Sequence, residues 1–165
     1  MRIYLLRHGN AEDARPGVSD AERALTDEGW ERLQRSATAW RALVDPPGTV
    51  LVSPLRRAQE TASVFTDAVK FRGEIRTEHS LVPNAPVALA LNQIEIEALS
   101  GTQSVALVGH EPHLGYLLAT LLTGHPRQSI PLKKGMLVGV ETESSASLVA
   151  SLRFALSSKA AAELA

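Results

Sequence analysis

The chain of 165 residues contains no cysteine. This absence excludes disulfide bonds, thiolate nucleophiles and metal sites built on cysteine, and it is consistent with a reducing cytoplasm. The chain also lacks an excess of one charge, since 17 Lys and Arg residues face 18 Asp and Glu residues. A near-neutral chain has no general attraction to nucleic acid or to a membrane surface. Any anion site must therefore be a local cluster of basic residues.

Long hydrophobic runs are also missing. The first apolar run, Ile3 to Leu6, ends at the charged Arg7, so the N-terminus does not read as a signal peptide. The richest later run, Leu114 to Leu122, is too short to span a bilayer. We therefore predict a cytoplasmic protein with no membrane and no nucleic-acid partner. Its length and its 44% apolar content predict a single domain over residues 1–165.

Strand-like and helix-like segments alternate along the chain. The strands are predicted at 2–7, 49–52, 74–78, 104–108, 135–141 and 147–154. The helices are predicted after an N-cap at Thr26, after Ser53-Pro54 with Ser as N-cap and Pro at the first helical position, over 87–99, over 113–122 and from Ser158. This alternation predicts an α/β three-layer sandwich, a mostly parallel sheet flanked by helices, with the last two strands paired at one edge.

Arg7-His8-Gly9 directly follows the first predicted strand. In open α/β sheets, ligands bind at the carboxyl ends of the strands. A histidine ring nitrogen can act as a nucleophile, and arginine binds phosphate with two parallel hydrogen bonds. Glycine allows a sharp turn and a close approach to a ligand. The triplet therefore suggests phosphoryl chemistry on His8.

Two further junctions between a strand and a helix carry basic residues, namely 53–58 (SPLRRA) and Gly109-His110. Carboxyl ends of parallel strands meet at one edge of a sheet, so the three junctions should form one dianion pocket with help from helix N-termini. Each signal alone is weak. Position 113 is also a histidine, three residues after His110, which is a spacing some metal sites use. No acidic or cysteine partner accompanies the pair, so we predict no metal and no cofactor.

These motifs, in this order and spacing, resemble the histidine phosphatase superfamily, whose fold is called phosphoglycerate mutase-like. The segments on which the resemblance rests are 7–9 (RHG), 53–62 (SPLRRAQETA) and 109–110 (GH). The short length, 23–29 (RALTDEG) and 108–115 (VGHEPHLG) are most similar to the small bacterial phosphohistidine phosphatases of the SixA type. The resemblance runs from residue 1 to about residue 125.

The resemblance implies a role for each site residue. His8 would be the nucleophile and form a phosphohistidine intermediate, while Arg7 and Arg57 would grip the phosphoryl oxygens. His110 would be a second pocket histidine, in its cationic form, that stabilises charge in the transition state. The family pattern selects Arg57 over Arg56 because its arginine stands just before the alanine. The substrate contacts would be Arg7, Arg57, Arg23, Gly9 and Asn10.

The chain departs from the family pattern at one position. Many members carry an acidic residue in mid-chain that donates a proton to the leaving group, and here Ser80 falls at that place. Glu78 lies two residues away and should point to the other strand face. Three acids of the loop after His8 are alternatives: Glu12, Asp13 and Asp20. A weak acid should matter less for a P–N bond, whose leaving nitrogen accepts a proton readily.

The leading interpretation is a phosphatase that acts on protein phosphohistidine through His8. A small-molecule phosphomonoesterase of the same fold is the first alternative, and a non-catalytic phosphate-binding module is the second. The chain is too short for long lids between the motifs, which predicts an open, shallow pocket that suits a phosphorylated side chain on a protein.

Overall fold

The computed structural model describes residues 1–144 and 147–164, and in them six strands and five helices. The strands are β1 (Arg2–Arg7), β2 (Thr49–Val52), β3 (Ile75–Thr77), β4 (Ser104–Gly109), β5 (Leu137–Ser144) and β6 (Ser147–Leu156). The helices are α1 (Asp27–Leu43), α2 (Arg56–Ala68), α3 (Val87–Leu99), α4 (His113–Thr123) and α5 (Ser158–Glu163). Single 3-10 turns lie at Asp20–Glu22 and His79–Leu81.

All six strands form one sheet in the order β3-β2-β4-β1-β5-β6. The first four strands of the chain run parallel to one another, whereas β5 is antiparallel to β1 and pairs with β6 as a hairpin. The predicted mostly parallel α/β sheet with a hairpin at one edge is confirmed. Because β1, β2 and β4 are neighbours and parallel, their carboxyl ends lie side by side.

Each face of the sheet packs against its own layer of helices, so the protein has two cores. Alternation along β1 sends Tyr4 and Leu6 to the face covered by α1, α2 and α5, and Ile3 and Leu5 to the face covered by α3 and α4. The first core is built around buried aromatic rings of α1 and α2 that meet edge to face. The two layers bury the central residues of β1 and all of β4 except Ser104.

The predicted N-cap is confirmed for α1 but not for α2. The Thr26 side chain accepts a hydrogen bond from the backbone N–H of Gly29, which confirms it as the N-cap of α1. The predicted start of the next helix is wrong. The chain stays extended through Leu55, and α2 begins at Arg56. Ser53 does not cap the helix: its hydroxyl accepts from the Leu55 N–H at 3.4 Å, before the helix begins, and lies 2.8 Å from a ring nitrogen of a histidine in the site described below.

The remaining elements differ from prediction only at their ends. The fifth strand begins at Leu137 because Gly135 has a positive φ of 69° and forms a turn just before it. Within the described residues, no helix combines the length and the apolar character that crossing a bilayer requires. That a single domain spans residues 1–165 stays a prediction.

Candidate active site

The register of β1 and β4 brings His8 and His110 together. Arg7 pairs with Gly109, the last residue of β4, so the two following residues, His8 and His110, lie side by side. The His8 N–H donates to the Gly109 carbonyl. Both imidazoles continue the alternation on the face that packs against α1 and α2. Their ring centroids are 4.9 Å apart with the planes inclined at 51°. Two histidines from distant parts of the chain therefore form one buried pair.

A backbone hydrogen bond sets the tautomer of His8. Its Nδ1 lies 2.7 Å from the carbonyl oxygen of Gly9. A carbonyl only accepts, so Nδ1 carries the proton and Nε2 keeps its lone pair. An imidazole held in this way presents Nε2 as a nucleophile without any change of protonation.

The surroundings also keep His8 neutral. Burial, together with the positive charges of Arg57, Arg7 and Lys134, lowers the pKa of His8 to about 4, against the opposing hydrogen bond to Gly9. A neutral imidazole at pH 7 is the form that can attack phosphorus. The same cations that would hold a phosphoryl group therefore also prepare the nucleophile.

His110 is held by the end of β2. Its Nε2 lies 2.8 Å from the Ser53 hydroxyl oxygen, while its Nδ1 is buried without a hydrogen-bond partner among the described residues. Burial lowers the pKa of His110 to about 3, helped by the neighbouring His8 and Arg57. His110 is therefore neutral at pH 7 in this structure. The expected cationic form is wrong for this state of the site.

Arg57, in the first turn of α2, is the arginine that enters the site. Its side chain is 5% exposed, and its two terminal nitrogens donate to Asp20, one to the carbonyl oxygen at 2.7 Å and one to the carboxylate at 3.0 Å. Thr61 ties this turn to the β1 loop, because its hydroxyl donates to the Arg57 carbonyl and accepts from the Gly9 N–H. Arg56 points outward to Glu60. The family pattern therefore selected the buried arginine.

Arg7 is held by main chain instead. Its Nη1 donates to the carbonyl oxygen of Leu132 at 2.6 Å, and its Nε is buried with no partner among the described residues. Burial lowers the pKa of Arg7, and the nearby carboxylate of Glu111 opposes that shift. Arginine stays charged regardless. Arg7 thus keeps a donor that a phosphoryl oxygen could use.

Glu111 holds Leu132, the residue to which Arg7 donates. Its carboxylate accepts a hydrogen bond from the Leu132 N–H at 3.1 Å, so the residue that anchors Arg7 is itself anchored. Burial raises the pKa of Glu111, against the opposing backbone hydrogen bonds and the charge of Arg7. Sequence reasoning missed this role, although Glu111 stands in the quoted segment that follows His110. It also missed Leu132, which acts through main chain and leaves no sequence signal.

The other three predicted substrate contacts, Gly9, Asn10 and Arg23, make contacts with other residues of the protein in this structure. Gly9 does not adopt a positive φ, and a Cβ there would lie 2.8 Å from the buried Leu33 side chain, which would have to shift. The backbone carbonyl of Asn10 accepts a hydrogen bond from Thr26. Arg23 donates to the Asp20 carboxylate at 2.7 Å and to the Glu12 carbonyl at 2.6 Å. The substrate contacts of all three stay predictions.

The acid alternatives have specific neighbours. The Ser80 hydroxyl is buried without a partner among the described residues, and Glu78 lies 3.8 Å from Arg76. Burial of Asp20 would raise its pKa, but hydrogen bonds from Arg23 and Arg57 outweigh that effect and lower the pKa. An ionised Asp20 is a poor proton donor at pH 7, which weakens it as the substitute acid.

His113, by contrast, stays apart from this chemistry. Its ring is buried, and neither nitrogen has a partner among the described residues. Burial lowers its pKa. Over residues 1–144 and 147–164, no third His, Cys, Asp or Glu joins it and His110 in a group of metal-binding size.

Comparison with known proteins gives consistent matches. Residues 3–82 match the family described as the histidine phosphatase superfamily, branch 1. Phosphohistidine phosphatase SixA of Escherichia coli K12 is 30% identical over 124 residues, which cover 75% of this chain and 76% of that protein. An uncharacterised protein of Picosynechococcus is 28% identical over 142 residues, 86% of each chain.

The fold has solved relatives as well. The structure of the protein histidine phosphatase SixA complexed with tungstate is 25% identical, with a TM-score of 0.85 over 96% of this chain and 98% of that one. The sequence matches and this shared fold confirm the resemblance that the motifs around His8, Arg57 and His110 suggested. The chain belongs to the histidine phosphatase superfamily.

Proposed function

We propose that the protein is a phosphohistidine phosphatase that uses His8 as its nucleophile. The observation that carries this proposal is the state of His8: its Nδ1 proton is held by Gly9, its Nε2 lone pair is available, and its pKa is about 4. An imidazole that only packed in a core would not need a fixed tautomer beside one buried and one half-buried arginine.

Two steps follow from this geometry. In the first, the Nε2 lone pair of His8 forms a bond to phosphorus as the P–N bond of the substrate breaks, and the leaving nitrogen takes a proton. In the second, water attacks phosphorus, the bond to Nε2 breaks, and inorganic phosphate leaves. Arg7 and Arg57 would hold the oxygens of the transferring group, which is the main demand of phosphoryl transfer.

The neutral state of His110 fits a role that depends on substrate. A phosphoryl dianion beside the ring would favour the protonated form and raise its pKa. The unpartnered Nδ1 would then be a charged donor, provided that Ser53 continues to hold Nε2. We therefore assign transition-state charge stabilisation to His110.

Three observations support a P–N bond as the bond that is cleaved. Ser80 replaces the expected acid, Asp20 is held ionised by two arginines, and the leaving nitrogen of phosphohistidine is readily protonated without a strong acid. The Escherichia coli relative is named a phosphohistidine phosphatase. The SixA structure with tungstate holds a tetrahedral oxyanion of the same shape as phosphate. We propose further that the substrate is a phosphorylated protein. The cytoplasmic location stays a prediction.

The test is to trap the phosphoenzyme. Wild type, His8→Ala and the exposed-histidine control His125→Ala are incubated with labelled phosphoramidate, quenched and assayed for acid-labile, alkali-stable label. We expect label and phosphate release from wild type and His125→Ala, and none from His8→Ala, whose rate falls at least about 1000-fold because the nucleophile is gone.

Other results would select the alternatives. Efficient hydrolysis of sugar phosphates with no phosphoramidate turnover would establish a small-molecule phosphomonoesterase. Phosphate binding that survives in His8→Ala, with no label on wild type, would establish a non-catalytic binding module.

A further inference from the structure

Nine of the 17 Lys and Arg side chains form ion pairs with carboxylates in the described part of the chain. Three of the other eight lie in one segment that reaches the candidate site. We call residues 124–135 the basic segment. It contains Arg127, Lys133 and Lys134 and no Asp or Glu, and all three side chains are exposed. None of them lies within 4 Å of a carboxylate in the described part of the chain.

The basic segment is fastened to the site by main-chain hydrogen bonds. The Gly135 N–H donates to the carbonyl oxygens of both Arg7 and His8, at 3.1 and 3.0 Å. The Leu132 carbonyl accepts from Arg7 at 2.6 Å, and the Ile130 N–H donates to Gly115 at 3.1 Å. Residues 130–135, which include Lys133 and Lys134, are therefore held in place before any partner arrives, and this lowers the entropic cost of binding to them.

The two sides of the site carry opposite charge. Leu132 packs in the core on the α3 and α4 face, which places the basic segment on that face. The loop after β1 lies against α2 on the other face and carries four acids, namely Glu12, Asp13, Asp20 and Glu22, with two arginines that pair with them. Lys134 is near enough to His8 to lower its pKa. A ligand that reaches His8 therefore meets the paired charges of the loop after β1 on one side and, on the other, Lys134, which is unpaired among the described residues.

We propose that the basic segment is the docking edge for an acidic stretch of a phosphoprotein substrate next to its phosphohistidine. This inference rests on the proposed function and adds the chemistry of the partner surface. The phosphoryl group itself is served by Arg7 and Arg57. A small phosphoramidate ends at its leaving nitrogen and has no further charge to offer, so the added cations act on the protein around the phosphohistidine. Charge of this kind mainly sets the encounter rate and the choice of partner.

The experiment uses a charge swap on both partners. Short peptides with one phosphohistidine are prepared with Asp and Glu, with Asn and Gln, or with Lys beside it. They are assayed against wild type and against Arg127→Glu/Lys133→Glu. The matched control is Lys70→Glu/Arg72→Glu, an equal change of net charge just after α2, at the helix end opposite Arg57. Phosphoramidate turnover of each variant reports whether the fold and the chemistry are intact.

We expect wild type and the control to prefer the acidic peptide, with kcat/KM about tenfold above that of the neutral one at low salt. Arg127→Glu/Lys133→Glu should lose that preference and favour the lysine peptide, with phosphoramidate turnover unchanged. The preference of wild type should also shrink as salt rises, because exposed charges are screened.

Two results would overturn the docking edge and leave the proposed function standing. One is equal turnover of all three peptides by wild type. The other is an unchanged preference in Arg127→Glu/Lys133→Glu that still turns over phosphoramidate. If wild type hydrolyses neither the peptides nor phosphoramidate, the proposed function fails first and the docking edge falls with it.

Discussion

The two arginines predicted to grip the same phosphoryl group are held in different ways. Arg57 donates to a carboxylate and a carbonyl of Asp20, in the loop after β1. Arg7 donates to a main-chain carbonyl of Leu132, and its nearest countercharge, Glu111, binds the Leu132 N–H instead. A phosphoryl group bound as proposed would therefore compete with a carboxylate at Arg57 and with only a neutral carbonyl at Arg7. We therefore expect Arg7 to keep its bond to Leu132 when substrate binds, and Arg57 to exchange Asp20 for the phosphoryl group.

The largest loss of activity should come from removing the Arg57 side chain. Arg57→Ala should lower kcat/KM on phosphoramidate by about 1000-fold, since a charged donor is lost and Asp20 is left to repel the phosphoryl group. Adding Asp20→Asn to that variant should recover about tenfold of the loss, because the repulsion is removed.

The control for that variant is Arg56→Ala, which removes the neighbouring exposed arginine paired with Glu60. It should stay within about twofold of wild type, as exposed ion pairs contribute little. A double variant no better than Arg57→Ala would show that Asp20 does not compete with substrate.

The Arg7 side is tested through Glu111. Glu111→Ala removes the acceptor for the Leu132 N–H, so Leu132 and Arg7 lose their fixed position, and kcat/KM should fall about 10- to 50-fold. Glu111→Gln keeps a side-chain oxygen in the same place and should recover most of the activity. Steady-state kinetics on phosphoramidate, with the melting temperature of each variant, separates this from unfolding. Equal losses in both variants would mean that charge, and not the hydrogen bond, is what Glu111 supplies.

The neutral histidine pair shared by both sides should appear as a pH dependence of stability. The pKa values of His8 and His110 are about 4 and about 3 in the folded protein, against about 6.5 in an unfolded chain. The unfolded state therefore binds more protons between pH 6.5 and pH 4. The free energy of unfolding should fall by about 1.4 kcal/mol per pH unit for each of the two histidines as pH falls through that window.

Urea titrations of wild type and His110→Gln at several pH values measure this slope. The slope of the variant should be shallower than that of wild type, while the exposed-position control His125→Gln should keep the wild-type slope. An identical slope in His110→Gln and wild type would contradict a neutral buried His110.

The smallest effect concerns Asp20 alone. Asp20→Asn should let inorganic phosphate or tungstate inhibit at about three- to fivefold lower concentration, because the anion no longer competes with a carboxylate that is 58% exposed and already well solvated. Inhibition constants at fixed ionic strength measure this. Weaker inhibition of the variant would mean that Asp20 positions Arg57 more than it competes for it.

The sequence predicted most of this architecture because periodicity and junction residues carry it. Thr26 caps α1 as expected, and the ends of β1 and β4 deliver His8 and His110 to one place. The prediction for Ser53 was wrong because a Ser-Pro pair at a strand end also suits an N-cap, and the contact between the Ser53 hydroxyl and His110 depends on the fold and not on the local sequence. The protonation of His110 and the anchoring of Arg7 by Leu132 depend on burial and on main-chain contacts, which no residue pattern records.

The pairing of β1 with β4 and β5 also bears on how the chain folds. The strand that leads to His8 precedes all the other strands of this sequence, yet it takes a central place in the sheet between two strands that come from the second half of the sequence. Contacts between such distant segments carry a high loop-closure entropy and form slowly. During synthesis, β1 must therefore wait with its apolar residues unpaired until β4 and β5 are available. The candidate active site is thus a late product of folding, and any kinetic trap that delays the β1–β4 pairing would delay activity by the same interval.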